Sequence, residues 1–199
     1  MGKTTIGPYH GASEGFALET RLSMELQMGE LSEKQSILHA TDIAAQPFDY
    51  HHPLVDTAKP RMFALSRMAG LKSAGVNLIH LDIGLCSFPA HRHHNEEEWI
   101  YILSGLGTLA LDGVDHPIEA GDFAAFQPHG PAHKLTNTGT EPLIYLTGGD
   151  NLPSDIIDFP ELNKRLLRSG HDYSTMEIAS LDAFCPYDAM SKMKHAVDD

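Results

Sequence analysis

Short runs of alternating apolar and polar residues fill the middle of the chain. Ile79, Leu81 and Ile83 alternate with polar residues over 77–83, which predicts a strand with one buried face. Residues 98–103 are rich in aromatic and β-branched side chains, which also favour a strand. Further strands are predicted over 62–66, 86–93, 107–111, 116–118, 123–126, 133–137 and 143–147. Strands this short, separated by Gly, Pro and Asp-Gly turn signals, indicate an all-β barrel or sandwich.

The two ends of the chain lack this alternation. Leucines over 18–26 form a short helical stripe, and His51-His52 is interpreted as part of a solvent-exposed loop. Asp-Phe-Pro-Glu at 158–161 is typical of a helix start, and Gly170 would end that helix. The pattern therefore predicts an N-terminal arm over 1–60, a barrel over 61–150 and a C-terminal extension with a short helix over 151–199.

Composition and charge exclude several classes of protein. A formal net charge of −13 argues against a nucleic-acid partner, because the phosphates would repel the surface. No apolar run approaches the roughly 18–20 residues that cross a membrane, and the N-terminus lacks the apolar core of a signal peptide. Two cysteines, Cys86 and Cys185, do not make a disulfide framework. We therefore expect a cytoplasmic protein.

Three histidines and one glutamate in the barrel segment have the spacing of a metal site. Side chains alternate faces along a strand, so His91 and His93 project to the same side. The polar run 94–97 can turn the chain and bring Glu98 back beside the pair, while His133 arrives from a distant strand. Imidazole and carboxylate suit Fe(II), Mn(II), Ni(II), Cu(II) or Zn(II). Four such ligands leave two positions open on a six-coordinate ion, whereas around zinc they would close a structural tetrahedron.

Read with their glycines and prolines, these residues form two motifs. The motifs are Gly84-(six residues)-His91-x-His93-(four)-Glu98-(six)-Gly105 and Gly121-(six)-Pro128-x-Gly130-(two)-His133-(three)-Asn137. They resemble the two sequence motifs of the cupin superfamily, with one extra residue after Gly84 and one after Gly121. The short link between them, with the stretches 69–77 and 155–160, resembles compact bacterial single-domain cupins often labelled sugar-phosphate isomerase-like.

The resemblance implies a fold and a cofactor. The fold is a cupin-type double-stranded β-helix, which is a jelly-roll barrel. The cofactor is one divalent transition metal, with iron, manganese, nickel and zinc as candidates. Its ligands would be His91, His93, Glu98 and His133. Because Ile100 and Ile102 share a strand face with Glu98, we predict that they line the pocket, with Phe123 or Phe126 nearby.

Three functions stay open for a barrel that binds a small-molecule substrate or ligand. The first is a metal-dependent enzyme of isomerase or lyase type that acts on a small oxygen-bearing organic substrate. The second is an Fe(II) dioxygenase. The third is a non-catalytic cupin that binds a small ligand or holds a structural metal.

No catalytic acid or base is assigned. The candidates by sequence position are His94, Glu96, Glu97 and Tyr145. Glu96 and Glu97 are most simply solvated turn residues. Arg92 and Lys134 are each next to a metal-ligand candidate and so point away from it by alternation. The sequence offers no evident interior cation, which counts against a phosphate-bearing substrate.

The opposite face of the 98–103 strand is also apolar. Trp99, Tyr101 and Leu103 point outward and would need cover. The N-terminal arm or a second subunit would supply it, so we expect a homodimer.

Overall fold

The computed structural model describes residues 36–181 of the chain. The leucine stripe over 18–26, the first 35 residues of the expected arm and Cys185 lie outside the described residues. Between residues 36 and 181 the chain forms thirteen strands and two short α-helices. The helices are α1 Ala40–Ala44 and α2 Leu65–Ala69, and 3-10 turns span Pro160–Leu162 and Ile178–Ser180. The strands are β1 Phe48–Asp49, β2 Arg61–Phe63, β3 Ala74–Leu81, β4 Arg92–His93, β5 Glu98–Ser104, β6 Leu106–Leu111, β7 Val114–Glu119, β8 Phe123–Phe126, β9 His133–Thr136, β10 Leu143–Asp150, β11 Ser154–Phe159, β12 Lys164–Ser169 and β13 Asp172–Glu177.

The strands form three antiparallel sheets. The largest has the order β1-β2-β3-β10-β5-β8, the second β7-β6-β9 and the third β13-β12-β11-β4. Isolated antiparallel β-bridges join Cys86 to Thr136 and His91 to His133. The segment before β4 therefore lies alongside β9. This arrangement confirms the all-β fold that the alternation predicted. None of the described helices is long and apolar enough to span a membrane.

A single apolar cluster lies between the sheets. Its members are Ile79, Leu81, Ile100, Ile102, Leu109, Ile118, Phe126, Leu135, Leu143 and Tyr145. The alternation over 77–83 is confirmed at Ile79 and Leu81, whose side chains are fully buried, but Ile83 is 58% exposed because β3 ends at Leu81. Phe123 is 63% exposed, so of the two phenylalanines only Phe126 faces inward.

The prediction of a helix after residue 158 is wrong. Strand β11 runs to Phe159, a single 3-10 turn follows, and strand β12 begins at Lys164. Asn163 takes a left-handed conformation with φ of 51°, which turns the chain back so that β12 pairs with β11. Gly170 ends an element as predicted, but that element is a strand, and its φ of 58° makes the turn into β13. Cross-strand pairing thus outweighs the local helical signal of the proline.

Three smaller predictions also need correction. The expected strand over 62–66 ends at Phe63, and α2 begins two residues later. Of the expected strand over 86–93 only β4 forms a ladder, at its end. His52 is buried rather than exposed, because its ring packs near Phe159. The pairing of β11 with β4 joins the segment after residue 150 to the sheet that carries His93, while the domain boundaries at 60 and 150 stay predictions.

Candidate metal centre

Three pieces of backbone bring the predicted ligands together. His93 lies on β4, Glu98 begins β5 and His133 begins β9. His91 precedes β4 and exchanges two backbone hydrogen bonds with His133, with N–O distances of 3.1 and 2.8 Å. Residues 94–97 connect β4 in one sheet to β5 in another and bring Glu98 beside the histidine pair, as the sequence predicted.

The three imidazole rings converge on one carboxylate oxygen. The Nε2 atoms of His91, His93 and His133 lie 3.5, 3.3 and 3.0 Å from Oε2 of Glu98. The Glu98 side chain is 24% exposed, whereas those of the histidines are only 6–15% exposed. The other Glu98 oxygen accepts a hydrogen bond from the Thr147 hydroxyl at 3.1 Å. The centre is therefore largely buried, and Glu98 is its most exposed side chain.

Neighbouring groups orient each ring. The Nδ1 of His91 lies 2.9 Å from the Pro89 carbonyl, and the Nδ1 of His93 lies 2.5 Å from the Asp155 carboxylate. Both partners are acceptors, so these Nδ1 atoms carry the protons. His133 stacks on Phe126 with ring centroids 3.6 Å apart and an interplanar angle of 3°.

This donor set fits a divalent metal ion. With a proton on Nδ1 of His91 and of His93, the Nε2 atom of each ring can approach the Glu98 oxygen favourably only with a second proton or a metal ion between them. Such a cluster needs a cation, either protons or a metal ion. Ligand atoms of His91, Glu98 and His133 lie within 4.8 Å of one another, which is compatible with one shared ion. His133 Nδ1 is buried and has no hydrogen-bond partner among the described residues, whereas its Nε2 lies 3.0 Å from Glu98 and is the atom placed to bind an ion.

The electrostatics of the centre favour a bound cation. Burial would raise the pKa of Glu98, but hydrogen bonds from His133, His91 and His93 outweigh it and hold that pKa well below its usual value. Burial would lower the pKa of His93, yet hydrogen bonds to Asp155 and Glu98 raise it to about 9. Burial lowers the pKa of His133. The carboxylate is thus ionised at neutral pH and attracts positive charge.

The acid and base candidates lie in different environments. Glu97 is exposed as expected, but Glu96 is buried, which contradicts its interpretation as a solvated residue. The guanidinium of Arg168 binds Glu96, and the Leu152 N–H donates to the same oxygen at 2.7 Å. His94 lies 3.0 Å from Asp158, and Tyr145 is buried in the core, where burial raises the pKa of its hydroxyl.

Three cations near the centre are also accounted for. Arg92 lies 3.8 Å from Asp158 but also lines a small pocket with His93 and His133, whereas Lys134 pairs with Glu161 at 3.0 Å. Arg168 is an interior cation that the sequence reading missed, and its side chain is 13% exposed. The local sequence carries no signal for this role, because Leu166 and Leu167 are adjacent and the predicted helix placed Arg168 near its C-terminal end.

Comparison with known proteins identifies the family to which the chain belongs. A cupin-domain family model matches residues 77–148, which hold both motifs. The solved structure of a candidate sugar phosphate isomerase from Acidithiobacillus ferrooxidans is 34% identical, with a TM-score of 0.73, over 77% of this chain and 99% of that one. The chain belongs to the cupin superfamily.

Two further similar proteins come from Thermotoga maritima. A protein named as oxalate-binding is 34% identical over 88 residues, which are 44% of this chain and 60% of that protein. The chain therefore matches less than two thirds of this curated relative. The solved structure of a predicted oxalate decarboxylase is 26% identical, with a TM-score of 0.50, over 58% of this chain and 99% of that one.

Proposed function

We propose that this cupin binds one divalent transition metal ion through His91, His93, Glu98 and His133. The convergence of three imidazole Nε2 atoms on one Glu98 oxygen carries the proposal. His133 lies 35 residues after Glu98, so its meeting with the other three ligands reflects the fold and not local sequence. Imidazole and carboxylate donors suit iron, manganese, nickel or zinc.

We further propose an enzyme of isomerase or lyase type that acts on a small oxygen-bearing organic substrate. A bound metal ion would act as a Lewis acid on substrate oxygen atoms. Four protein donors leave room on a six-coordinate ion for two such atoms. The chain's own contribution is to hold Glu98 through Thr147, to fix the rings, and to keep most of the centre away from water.

The charges around the centre favour a substrate without a phosphate group. Arg165 binds Asp158 with two hydrogen bonds, at 2.6 and 2.8 Å, and Arg168 binds Glu96. These cations are occupied by carboxylates, so a phosphate would have to compete for them. A substrate held at the metal by carboxylate, carbonyl or hydroxyl oxygens needs no such cation. The oxalate named for the Thermotoga relative belongs to this chemical class.

A non-catalytic ligand-binding protein is the second candidate function. The contact of His94 with Asp158, the ion pair of Glu96 with Arg168 and the raised pKa of Tyr145 favour it, because these acid and base candidates are not poised for proton transfer. The third possibility, an Fe(II) dioxygenase, depends on the identity of the metal. Localisation in the cytoplasm and the lack of a nucleic-acid or membrane partner stay predictions.

Metal content tests the proposal directly. Protein purified without a chelator and without a nickel column should contain close to one metal ion per chain by elemental analysis. A His91→Ala, His133→Ala double variant should contain almost none. Zinc, manganese or nickel would support the isomerase, lyase or binding functions, whereas iron would redirect the work to oxygen-uptake assays. Equal, negligible metal in both proteins would refute the metal centre.

A further inference from the structure

A carboxylate from outside the matched cupin segment contacts one of the candidate ligands. Asp155 lies on β11, beyond the family match that ends at residue 148. Its side chain is completely buried, and its Oδ2 lies 2.5 Å from Nδ1 of His93. Its other oxygen accepts a hydrogen bond from the Asn95 backbone N–H at 3.0 Å. Both carboxylate oxygens of Asp155 therefore accept hydrogen bonds from β4 or from the turn that follows it.

A second buried carboxylate, that of Glu96, lies near His93 but does not form a hydrogen bond with its ring. Oε2 of Glu96 lies 3.9 Å from Nδ1 of His93, beyond hydrogen-bonding distance. The Glu96 carboxylate instead binds the guanidinium of Arg168. Arg168 lies directly opposite Asp155 in the β11–β12 pairing, so the hairpin supplies both the acceptor for His93 and the cation that neutralises Glu96.

We propose that Asp155 is a positioning residue that holds the proton of His93 on Nδ1 and turns Nε2 toward Glu98 and the metal ion. This inference rests on the proposed metal centre. A carboxylate that accepts the far N–H of a ligating histidine fixes its tautomer and ring orientation and makes the ligand more basic. The C-terminal strand thus becomes part of the metal centre.

Strand pairing explains how Asp155 reaches its position. Ile157 lies opposite His93 in the β11–β4 ladder, so His93 and Ile157 face the same side of the sheet. Asp155 is two residues before Ile157 and shares that face. Asp158 lies opposite Arg92 and faces the other way, where it binds Arg165 and His94. One short strand therefore presents two buried carboxylates, of which only Asp155 contacts a candidate ligand.

Zinc affinity of position-155 variants tests the proposal. Asp155→Ala removes the acceptor, and Asp155→Asn keeps the shape and one acceptor oxygen without the charge. Competition with a chromophoric chelator should give a zinc Kd about 10- to 100-fold higher for both variants, with the larger effect for Ala. The matched control is Asp158→Asn, which removes a buried carboxylate of the same strand. Its zinc Kd should stay within about 3-fold of the parent's.

A second measurement separates positioning from general destabilisation. In the zinc-loaded parent, nitrogen-15 NMR of labelled histidine should show a protonated Nδ1 on His93 whose proton exchanges slowly with water. Asp155→Ala should lose that slow exchange, whereas Asp158→Asn should keep it. If Asp155→Ala does not fold, as judged by circular dichroism, Asp155→Asn provides the comparison.

The possible outcomes are distinct. A parent that binds no zinc refutes the proposed metal centre and this inference with it. A parent that binds zinc, with position-155 variants that bind within about 2-fold of it and keep the slowly exchanging proton, refutes the role of Asp155 alone. Weaker zinc binding together with loss of that proton supports the role of Asp155.

Discussion

At the scale of single residues, buried carboxylates set the charge balance around the metal centre. Asp155 and Asp158 are only 1% and 2% exposed, and each is compensated by partners distant in sequence. Asp155 contacts His93, 62 residues away, and Asp158 contacts His94, 64 residues away. Isolated carboxylates would be too costly to bury, so the compensation is a condition of the fold. No local pattern announces such pairs, which is why the sequence reading missed both.

Asp158→Asn should destabilise the protein in a pH-dependent way. Hydrogen bonds from Arg165, with a weaker one from His94, lower the pKa of Asp158 from 3.8 to about 2 against the effect of burial. Because the folded pKa lies below the unfolded one, the stabilisation is complete above about pH 5 and is lost as the pH falls toward 2. Urea unfolding should show a loss on the order of 2 kcal/mol at pH 7 and a smaller loss at pH 3.5.

The control for this experiment is Asp115→Asn, since Asp115 is exposed on β7. It should change the free energy of unfolding by less than about 0.5 kcal/mol at either pH. An equal loss for Asp158→Asn at both pH values would show that packing, and not the carboxylate charge, explains the destabilisation.

At the scale of elements, close strand packing fixes the position of Glu98. Gly149 on β10 lies opposite Glu98 on β5, and a Cβ at Gly149 would collide with the Glu97 backbone carbonyl. The neighbouring Gly148 similarly accommodates the ring of Trp99. The glycine pair therefore allows β5 to begin where it brings its carboxylate to the histidines.

Gly149→Ala should lower both stability and metal content. The added methyl group must displace the backbone beside Glu98, and overpacking of this kind costs about 1–3 kcal/mol. Thermal unfolding and elemental analysis measure the two effects. The matched control is Gly75→Ala, on the facing strand β3, where a Cβ would make only ordinary contacts at 3.9 Å. Similar losses in both variants would contradict a specific effect on Glu98.

At the scale of the whole molecule, an apolar surface lies on the outer side of β5 and its edge neighbour β8. Tyr101, Leu103 and Phe123 are 40%, 44% and 63% exposed, and Trp99 stacks on Phe123 with ring centroids 6.1 Å apart. Exposed clusters of this kind are typical of contact surfaces. The side-chain directions agree with the outward set predicted from strand alternation, while the homodimer inferred from it stays a prediction.

We expect sedimentation equilibrium to give twice the mass of one chain. A Tyr101→Lys, Leu103→Lys double variant should shift the protein to monomers, because charges in an apolar interface cannot be solvated. Val114→Lys is the control, since Val114 is 60% exposed but lies on β7 in another sheet. A monomeric parent, or a double variant that stays dimeric, would contradict this interface.

The sequence by itself determined the all-β fold, the cupin superfamily and the four residues proposed as metal ligands. The physical reason is that strand alternation, turn residues and motif spacing act over a few residues, so they can be read along the chain. Their limit is visible at 158–170, where a local helix signal gave way to strands. That hairpin forms because β11 pairs with both β12 and β4, and local propensity carries no information about pairing with the distant strand β4.

Only the tertiary structure decided what surrounds those four residues. Asp155 and Thr147 reach His93 and Glu98 through pairing of β11 with β4 and of β10 with β5. Glu96 is buried, although its sequence neighbours are polar, because it forms an ion pair with Arg168, which lies 72 residues later in the chain. Burial and charge compensation depend on which distant strands meet, and that is a property of the assembled barrel.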